Sequence, residues 1–377
     1  MDALMLPLNW QRVRLGDICE IVKGQQINKI SLNNTDKYPV INGGIDFLGY
    51  TNKFNVSKNT IAISEGGTCG YVRFMTSNFW SGGHNYSLQK ISNKVNNLCL
   101  YHILKSYEKD IMKLGVGSGL KNIQLKALKD FEILLPPLNE QSAIANILSA
   151  LDRYLCALDA LILKKEGVKK ALSFELLSQR KRLRGFNQDW QRVRLGDIGK
   201  PCMCKRVMKH QTTRYGEIPF YKIGTFGNTA DAFISKKLFL EYRTKYSFPK
   251  KGDILISASG TIGRAVIYDG KPAYFQDSNI VWIDNDETLV KNDFLFYAYS
   301  NVKWNTEHTT ILRLYNDNFR NTLIPLPPLN EQSAIANILS ALDHEIISLK
   351  NKKRQFENIK KALNHDLMSA KIRVLEK

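Results

Sequence analysis

Two long direct repeats constrain the fold of this chain more than any other feature. The segment WQRVRLGDI occurs at residues 10–18 and again at 190–198, an offset of 180 residues. The segment LPPLNEQSAIANILSALD occurs at 135–152 and again at 326–343, an offset of 191 residues. A period of about half the chain indicates a duplicated domain, because solenoid repeats are only about 20–50 residues long. The sequence therefore predicts two copies of one unit.

The two segments enclosed by these repeats have diverged. Residues 19–134 and 199–325, the inserts, share little beyond short motifs such as ISEGGTCG at 63–70 and ISASGTIG at 256–263. Unequal divergence favours two identical docking tasks combined with two different recognition tasks. A recent recombination that copied only the shared blocks is the alternative.

Short runs of β-branched and aromatic residues recur in both inserts, bounded by Gly, Asn and Asp. Runs such as NTIAIS, GYVRFM, DILISA and AVIYDG are typical of strands in a small α/β domain. Residues 98–114 and 291–301 have helical spacing. Each insert ends at a Pro-Pro pair, after which Asn139 or Asn330 is the expected N-cap of a long helix.

Apolar residues follow each Pro-Pro pair at alternating steps of four and three, which is the heptad pattern of a coiled coil. The stripes are Ile144, Leu148, Leu151, Leu155, Leu158 and Ile162 in the first copy, and Ile335, Leu339, Leu342, Ile346 and Leu349 in the second. Packing of each stripe on an insert is possible, but mutual antiparallel pairing is the simpler expectation. About 40 helical residues span roughly 60 Å, so such a pair would hold the inserts at opposite ends of a rod.

The predicted fold class is thus α+β, with two similar α/β domains joined by two long antiparallel coiled-coil helices and related by a pseudo-twofold axis. The expected boundaries are a first domain at 1–137, a central helix at 138–185, a second domain at 186–328 and a C-terminal helix at 329–377.

The chain is strongly basic, with 54 Lys and Arg residues against 35 Asp and Glu residues and a formal charge of +19. Such an excess favours a polyanionic partner, and nucleic acid is the leading candidate. A basic protein without such a partner is the alternative. Residues 153–184 and 344–377 carry net charges of +6 and +5, so the helices hold much of the excess. That surface suits DNA phosphates, an acidic protein or simple solvation.

Composition and motifs exclude several other classes. No run of about 18 apolar residues is present, so a membrane-spanning helix is not expected. The first residues do not resemble a secretion signal, and six irregularly spaced cysteines fit a reducing cytoplasm.

Motifs of catalysis or cofactor binding are missing from the sequence as well. It contains no GxxxxGKS or GxxxxGKT loop for ATP and no glycine-rich turn suited to S-adenosylmethionine or a dinucleotide. Neither Pro-Pro pair belongs to an Asn- or Asp-Pro-Pro-aromatic motif. Cys202 and Cys204 form an isolated CxC pair, and no HExxH motif occurs. We therefore expect no catalytic residue, cofactor or metal in this chain.

Polar and basic side chains in or beside Gly- and Asn-rich turns are the candidates for DNA contact. Lysines suit phosphates, whereas amides, hydroxyls and arginines suit base edges. An ordinary loop position is the alternative for each of them. The candidates in the first insert are Lys23, Gln25, Gln26, Lys29, Thr68, Arg73, His84, Asn85, Lys121 and Asn122. Those in the second insert are Lys205, Arg206, Lys209, Lys222, Thr225, Thr261, Arg264, Gln276, Asn279, Arg313 and Tyr315.

A WxxVxLGDI opening, a variable insert, LPPLNEQ and a long heptad helix, all occurring twice, resemble the specificity subunit of type I restriction–modification systems. The resemblance covers essentially the whole chain. It implies that each insert is a target-recognition domain for one half of a bipartite, asymmetric DNA site. One departure is that GSGLKNIQLKAL at 117–128 is replaced by ILRLYNDNFRN at 311–321.

The same resemblance implies the partners and their cofactors. They are double-stranded DNA, two methyltransferase subunits and motor-nuclease subunits, with S-adenosylmethionine, ATP and Mg on the partner subunits. The helices then serve as spacer and docking elements through Asn139, Glu140, Gln141, Leu148, Leu151, Leu155, Asn330, Glu331, Gln332, Leu339, Leu342 and Ile346. The alternatives are a stand-alone, pseudo-symmetric DNA-binding regulator without enzymatic partners and an adapter that binds proteins only.

Overall fold

The computed structural model describes residues 9–304, 307–308 and 312–374. Residues 1–8, to which the expectation about a secretion signal refers, lie outside these ranges. Ile311, the first residue of the closing segment 311–321 of the second insert, also lies outside them. The chain divides into two units. The first unit comprises residues up to Ala160 and from Lys350 onward, and the second comprises Leu161–Leu349. Each unit thus contains one insert and part of each long helix.

The first unit begins with short strands and helices that precede a long helix. Its strands are β1 (Gln11–Arg14), β2 (Glu20–Lys23), β3 (Tyr38–Ile41), β4 (Gly49–Thr51), β5 (Thr60–Ser64), β6 (Val72–Met75), β7 (Trp80–Ser81), β8 (Asn85–Gln89), β9 (Gly115–Val116), β10 (Asn122–Ile123) and β11 (Glu132–Leu135). Its helices are α1 (Leu15–Ile18), α2 (Asn97–Ser106), α3 (Glu108–Lys113), α4 (Leu125–Lys129) and the first part of α5 (Leu138–Leu177). The predicted helix at 98–114 is therefore broken at Tyr107 into α2 and α3.

The second unit repeats this order with two differences: a helix is added between its fourth and fifth strands, and a single helix follows its eighth strand, where the first unit has α2 and α3. Its strands are β12 (Gln191–Arg194), β13 (Gly199–Met203), β14 (Ile218–Tyr221), β15 (Ala232–Ile234), β16 (Ile254–Ser257), β17 (Ala265–Ile267), β18 (Tyr274–Phe275), β19 (Ile280–Asn285), β20 (Glu307–His308), β21 (Leu312–Arg313) and β22 (Leu323–Leu326). Its helices are α6 (Leu195–Ile198), α7 (Lys236–Lys245), α8 (Asn292–Tyr299), α9 (Asn316–Asn321) and the first part of α10 (Leu329–Met368). The helix expected at 291–301 corresponds to α8.

The two inserts have the same sheet topology. A four-stranded antiparallel sheet has the order β2-β8-β5-β6 in the first unit and β13-β19-β16-β17 in the second. A three-stranded sheet has the order β4-β3-β7 or β15-β14-β18, with one antiparallel and one parallel pairing in each. The repeated LGDI blocks follow β1 and β12, which pair with β11 and β22 and so join both ends of each insert.

The heptad stripes are buried or half-buried, and the first members of each stripe belong to the same core as the insert of their unit. Ile144, Leu148 and Leu367 pack in one cluster with the sheet of the first unit. Ile335 and Leu339 do the same in the second unit. The predicted fold class, two similar α/β domains with long paired helices, is therefore confirmed at the level of each unit.

The predicted N-caps of the long helices are wrong by two residues in both copies. Helix α5 begins at Leu138, and the backbone N–H of Gln141 donates to the Pro137 carbonyl oxygen. Asn139 therefore lies inside the first turn, and Asn330 has the same position in α10. Pro is tolerated at a helix start because it has no N–H to leave unpaired, so the helix begins directly at the Pro-Pro pair. Within the described residues, no helix is long and apolar enough to cross a membrane.

Candidate nucleic-acid interface

In the first unit, backbone hydrogen bonds bring together three turns and one short strand of the insert. The N–H of Thr68 donates to the Gly43 carbonyl oxygen at 2.8 Å, and the N–H of Glu65 donates to the His84 carbonyl oxygen at 3.0 Å. The N–H of Ile123 donates to the Glu65 carbonyl oxygen at 2.9 Å. The turns after β3 and β5, the turn before β8 and the strand β10 therefore form one continuous surface.

Two glycines make close approaches that place candidate side chains on this surface. A Cβ atom at Gly66 would lie 2.1 Å from Oδ1 of Asn122, and one at Gly83 would lie 2.6 Å from Nε2 of Gln26. Any larger residue would displace these amides. The Gly-rich turns thus bring Gln26 and Asn122 close to the turns that carry Thr68 and His84.

A buried carboxylate organises the charges on this surface. Lys23 Nζ lies 2.6 Å from Oε1 of Glu65, and the His84 ring lies 3.9 Å from the other carboxylate oxygen. The Tyr86 hydroxyl lies 3.2 Å from Oε1 of Glu65 and 3.0 Å from the Ile123 carbonyl oxygen. Burial raises the pKa of Tyr86 to about 12, and the negative charge of Glu65 adds to the effect. Sequence reasoning missed Glu65, because it lies 42 residues from Lys23.

The second unit makes the same backbone contacts with different side chains. The Ala258 N–H donates to the Asn279 carbonyl oxygen at 2.8 Å, and this bond corresponds to the one from Glu65 to His84 in the first unit. The Leu314 N–H donates to the Ala258 carbonyl oxygen at 2.9 Å, as Ile123 does to Glu65. These bonds define structurally equivalent candidates: His84 and Asn279, Asn122 and Arg313, and Thr68 and Thr261. The chain path after the second insert therefore follows the first, despite the different closure sequence.

Several candidates of the second unit hold the shape of the loops. Oδ1 of Asn279 accepts a hydrogen bond from the Ser259 hydroxyl at 2.9 Å. The Arg313 guanidinium donates to the Ser278 carbonyl oxygen at 2.7 Å, and Ser278 has a left-handed φ of 54°. Oε1 of Gln276 accepts from the Ile223 N–H at 2.9 Å. Thr225 Oγ1 likewise accepts from the Lys222 N–H at 3.1 Å. These contacts fix the geometry of the loops that carry the candidates.

Asn85 corrects the predicted list. It is 2% exposed, and its amide donates to the Ser81 hydroxyl and to the Tyr86 carbonyl oxygen, both at 3.0 Å. A buried amide with these partners stabilises the start of β8 and does not face a solvent groove. The composition of the SGGHNYS turn did not distinguish the exposed His84 from its buried neighbour.

The remaining candidates lie on the inserts with other contacts or in exposed loops. Arg73 stacks on Phe47 and Tyr71, Lys205 lies over Tyr246, Arg206 pairs with Asp277 at 2.8 Å, and Lys222 pairs with Asp231 at 2.8 Å. The candidates with exposed side chains include Gln25, Lys29, Lys121, Lys209, Arg264 and Tyr315.

The polar residues of LPPLNEQ are buried inside their own unit. The Glu140 carboxylate accepts from the Arg373 guanidinium at 2.8 and 3.1 Å and from the Trp10 indole N–H at 3.2 Å. The Gln141 side chain accepts from the Asn96 N–H and donates to the carbonyl oxygens of Lys94 and Pro136. These side chains join helix and insert, so Glu140 and Gln141 do not form a surface for a partner.

The second unit repeats these contacts at the offset of the repeat. The Glu331 carboxylate accepts from Arg182 at 2.7 Å and from the Trp190 indole N–H at 2.9 Å. The Gln332 side chain accepts from the Lys291 N–H at 2.8 Å. We call the two clusters, Trp10–Glu140–Arg373 and Trp190–Glu331–Arg182, the first and second clamps.

Ion pairs along the helices show that the segments within each unit run antiparallel. In the first unit, Asp152 pairs with Lys360, and Asp159 pairs with Lys353 at 2.7 Å. The partner's number falls as the chain advances, which defines the antiparallel direction. In the second unit Asp343 pairs with Lys169, as Asp152 does with Lys360, again at the offset of 191.

One pair of contacts departs from the repeat. Tyr154 packs on Phe356 in the first unit, with ring centroids 4.7 Å apart. The equivalent positions in the second unit form the ion pair between Glu345 and Lys165, at 2.8 Å. The helix pairing is thus the same in both units, although the chemistry at this position differs.

Comparison with known proteins agrees with this organisation. A family model described as the type I restriction modification DNA specificity domain matches residues 7–165 and 187–358. The chain is 40% identical over 315 residues to a putative type I restriction enzyme specificity subunit of Haemophilus influenzae, covering 80% of this chain and 81% of that protein. It is 27% identical over 408 residues to a type I restriction enzyme specificity subunit of Methanocaldococcus jannaschii, covering 99% and 95%.

A solved structure shares the fold. The type I restriction–modification S subunit of Mycoplasma genitalium superposes with a TM-score of 0.71 at 24% identity and covers 97% of both chains. The duplicated insert and the helix segments paired within each unit define the class, a protein with two DNA specificity domains. The chain belongs to the family of type I restriction–modification specificity subunits.

Proposed function

We propose that this chain selects the DNA sequence on which a type I restriction–modification complex acts, and that each insert recognises one half of a bipartite, asymmetric site. The observation that carries the proposal is the set of equivalent loop positions with different side chains. His84 and Asn122 occupy the places of Asn279 and Arg313 on the same backbone framework. Base recognition depends on the donors and acceptors presented to a groove, so two such surfaces suit two different half-sites.

In this proposal the chain contributes recognition, and its partners contribute catalysis. Two methyltransferase subunits carry S-adenosylmethionine, and the motor-nuclease subunits carry ATP and Mg. The chain itself binds none of these and transfers no methyl group. The complex works in the cytoplasm, where the cysteines stay reduced. Support comes from the family, whose members are specificity subunits, and from the missing cofactor motifs in the sequence.

The helices set the spacing between the two half-sites in the same proposal. In each unit the insert is fixed to the helices through a clamp, and ion pairs fix the register of the paired segments. A helix rises about 1.5 Å per residue, so a helix held in one register can set a defined spacing.

The deciding experiment is a graft of residues 19–134 from another family member. The hybrid is co-expressed with the methyltransferase subunit, and methylated adenines are mapped in the host genome. One half of the recognised sequence should change, while the other half and the spacing stay constant. A graft of residues 199–325 is the matched control and should change the opposite half. A change in both halves, or in the spacing alone, would contradict the assignment of one insert to one half-site.

A further inference from the structure

The carboxylate of Glu65, at the candidate interface of the first insert, has one oxygen with partners and one without. Oε1 lies 2.6 Å from Lys23 Nζ and 3.2 Å from the Tyr86 hydroxyl. Oε2 lies 3.9 Å from Nδ1 of His84, which is too far for a hydrogen bond. Among the described residues, no donor reaches Oε2, and this oxygen is not enclosed by protein. It is therefore an acceptor available to a ligand.

This acceptor lies where the turns of the candidate interface meet. The Glu65 N–H donates to the His84 carbonyl oxygen, and the Glu65 carbonyl oxygen accepts from the Ile123 N–H. The Glu65 side chain is 11% exposed, whereas that of His84 is 54% exposed. A carboxylate held by its own backbone and by two side-chain partners thus lies beside an exposed recognition candidate.

The second insert has apolar residues at all three corresponding places. The sheet registers and the equivalent backbone bonds of the two units define the correspondence. We call Lys23, Glu65 and Tyr86 the polar triad, and their equivalents are Met203, Ala258 and Val281. The lysine, the glutamate and the tyrosine are thus replaced together on the same framework.

The fold itself does not require the polar triad. Ala258 and Val281 are buried in the core of the second unit, so the same framework folds with apolar side chains. Taking charges out of water costs free energy, and apolar replacements of a buried ion pair are often as stable as the pair. A role in recognition explains why the first insert carries a charged carboxylate at this place.

The chemistry of the unpaired oxygen selects a base edge over a phosphate. A carboxylate accepts hydrogen bonds and donates none, and it is repelled by phosphates. In the major groove, the donors of the base pairs are the amino groups N4 of cytosine and N6 of adenine. The Lys23 ammonium offsets the negative charge that Glu65 would bring to DNA. The polar triad therefore suits an exocyclic amino group.

We propose that Oε2 of Glu65 accepts a hydrogen bond from the exocyclic amino group of one cytosine or adenine in the half-site of the first insert. This inference rests on the proposed function, and it adds one specificity-determining residue with a defined direction, from base donor to protein acceptor. Because Ala258 has no acceptor in its side chain, the second insert makes no such contact.

The test uses Glu65→Gln and Glu65→Ala in the full-length chain, co-expressed with the methyltransferase subunit, and maps methylated adenines in the host genome. Lys23 and Tyr86 donate to the amide oxygen of glutamine, so its NH2 group replaces Oε2. One position of one half-site should then change from cytosine or adenine to guanine or thymine, whose major-groove edges accept. Alanine should reduce discrimination at that position by about tenfold or more. The base found there in the wild-type site distinguishes cytosine from adenine.

Tyr86→Phe is the matched control, because it removes a hydrogen bond to Oε1 and leaves Oε2 in place. Its methylated site should be the wild-type site. The same change of site in Tyr86→Phe as in Glu65→Ala would show a general effect on the loops and overturn the proposal. An unchanged base preference in both Glu65 variants, or loss of methylation at every site in both, would also overturn it.

The graft of residues 19–134 separates this inference from the proposed function. If the graft does not change one half alone, the proposed function fails, and this inference fails with it. If the graft changes one half and the Glu65 variants alter no position in that half, the proposed function stands and the role of Glu65 is wrong.

Discussion

Removal of the arginine from the second clamp should destabilise the second unit strongly. The Glu331 side chain is fully buried, and it pairs with Arg182 at 2.7 Å and with the Trp190 indole at 2.9 Å. The change Arg182→Met leaves a buried carboxylate with one neutral donor. Breaking a buried ion pair from one side costs about 3–5 kcal/mol. At about 2–4 °C per kcal/mol for a unit of this size, the midpoint should fall by roughly 10 °C.

The assay is differential scanning calorimetry of the full chain, with urea unfolding as a second measure. Lys245→Gln removes an exposed ion pair with Glu241 in the same unit, and it should leave the midpoint unchanged because exposed pairs contribute little. The double change Arg182→Met and Glu331→Leu should recover most of the loss, since an apolar pair replaces the buried charges. A loss below about 1 kcal/mol for Arg182→Met would refute the view that the clamp is a buried, paired charge.

Three further changes test other parts of the structure. Burial lowers the pKa of His102 from 6.5 to about 4, so the folded state keeps the neutral ring and stability is lost as the pH falls from 6.5 towards 4. Between pH 7 and 4.5, thermal melts should show that the wild type loses about 2–3 kcal/mol more stability than His102→Gln, and equal losses would contradict this. Lys121→Ala should weaken binding evenly across DNA sequences and reduce the salt slope by about one, whereas a sequence-dependent loss would indicate base contact. Deleting the same number of turns from α5 and α10 should alter the spacing of the methylated site and leave its bases unchanged.

The duplication made much of the fold predictable from sequence. Since the second copy repeats the first, one heptad pattern predicted both helices, and Ile144 and Ile335 are buried at equivalent places. The N-cap prediction failed because Asn139 has the right chemistry but a Pro-Pro pair lies directly before it. A helix can start after Pro137 without a side-chain cap, and residue preference alone does not show where the first turn begins.

The candidate recognition surface was less predictable, because it depends on contacts between distant segments. Glycine-rich turns predicted Thr68 and His84 as candidates from local spacing alone. The Glu65 carboxylate that pairs with Lys23 comes from the turn after β5, and no local pattern indicates this pairing. Asn85 shows the converse, since a polar residue next to a recognition candidate is buried. Burial is decided by the sheet register, which places Asn85 opposite Ser64 at the end of the two inner strands of the sheet.

The first clamp explains how an insert can change while its support stays constant. Its three side chains come from three parts of the sequence: Trp10 before the insert, Glu140 after it, and Arg373 beyond the end of α10. None of them lies within residues 19–134. A replaced insert therefore meets the same indole, carboxylate and guanidinium at its two connections, where β1 pairs with β11. Because these connections are fixed independently of the loops, selection can alter base contacts in one insert without shifting the helices to which both inserts are joined.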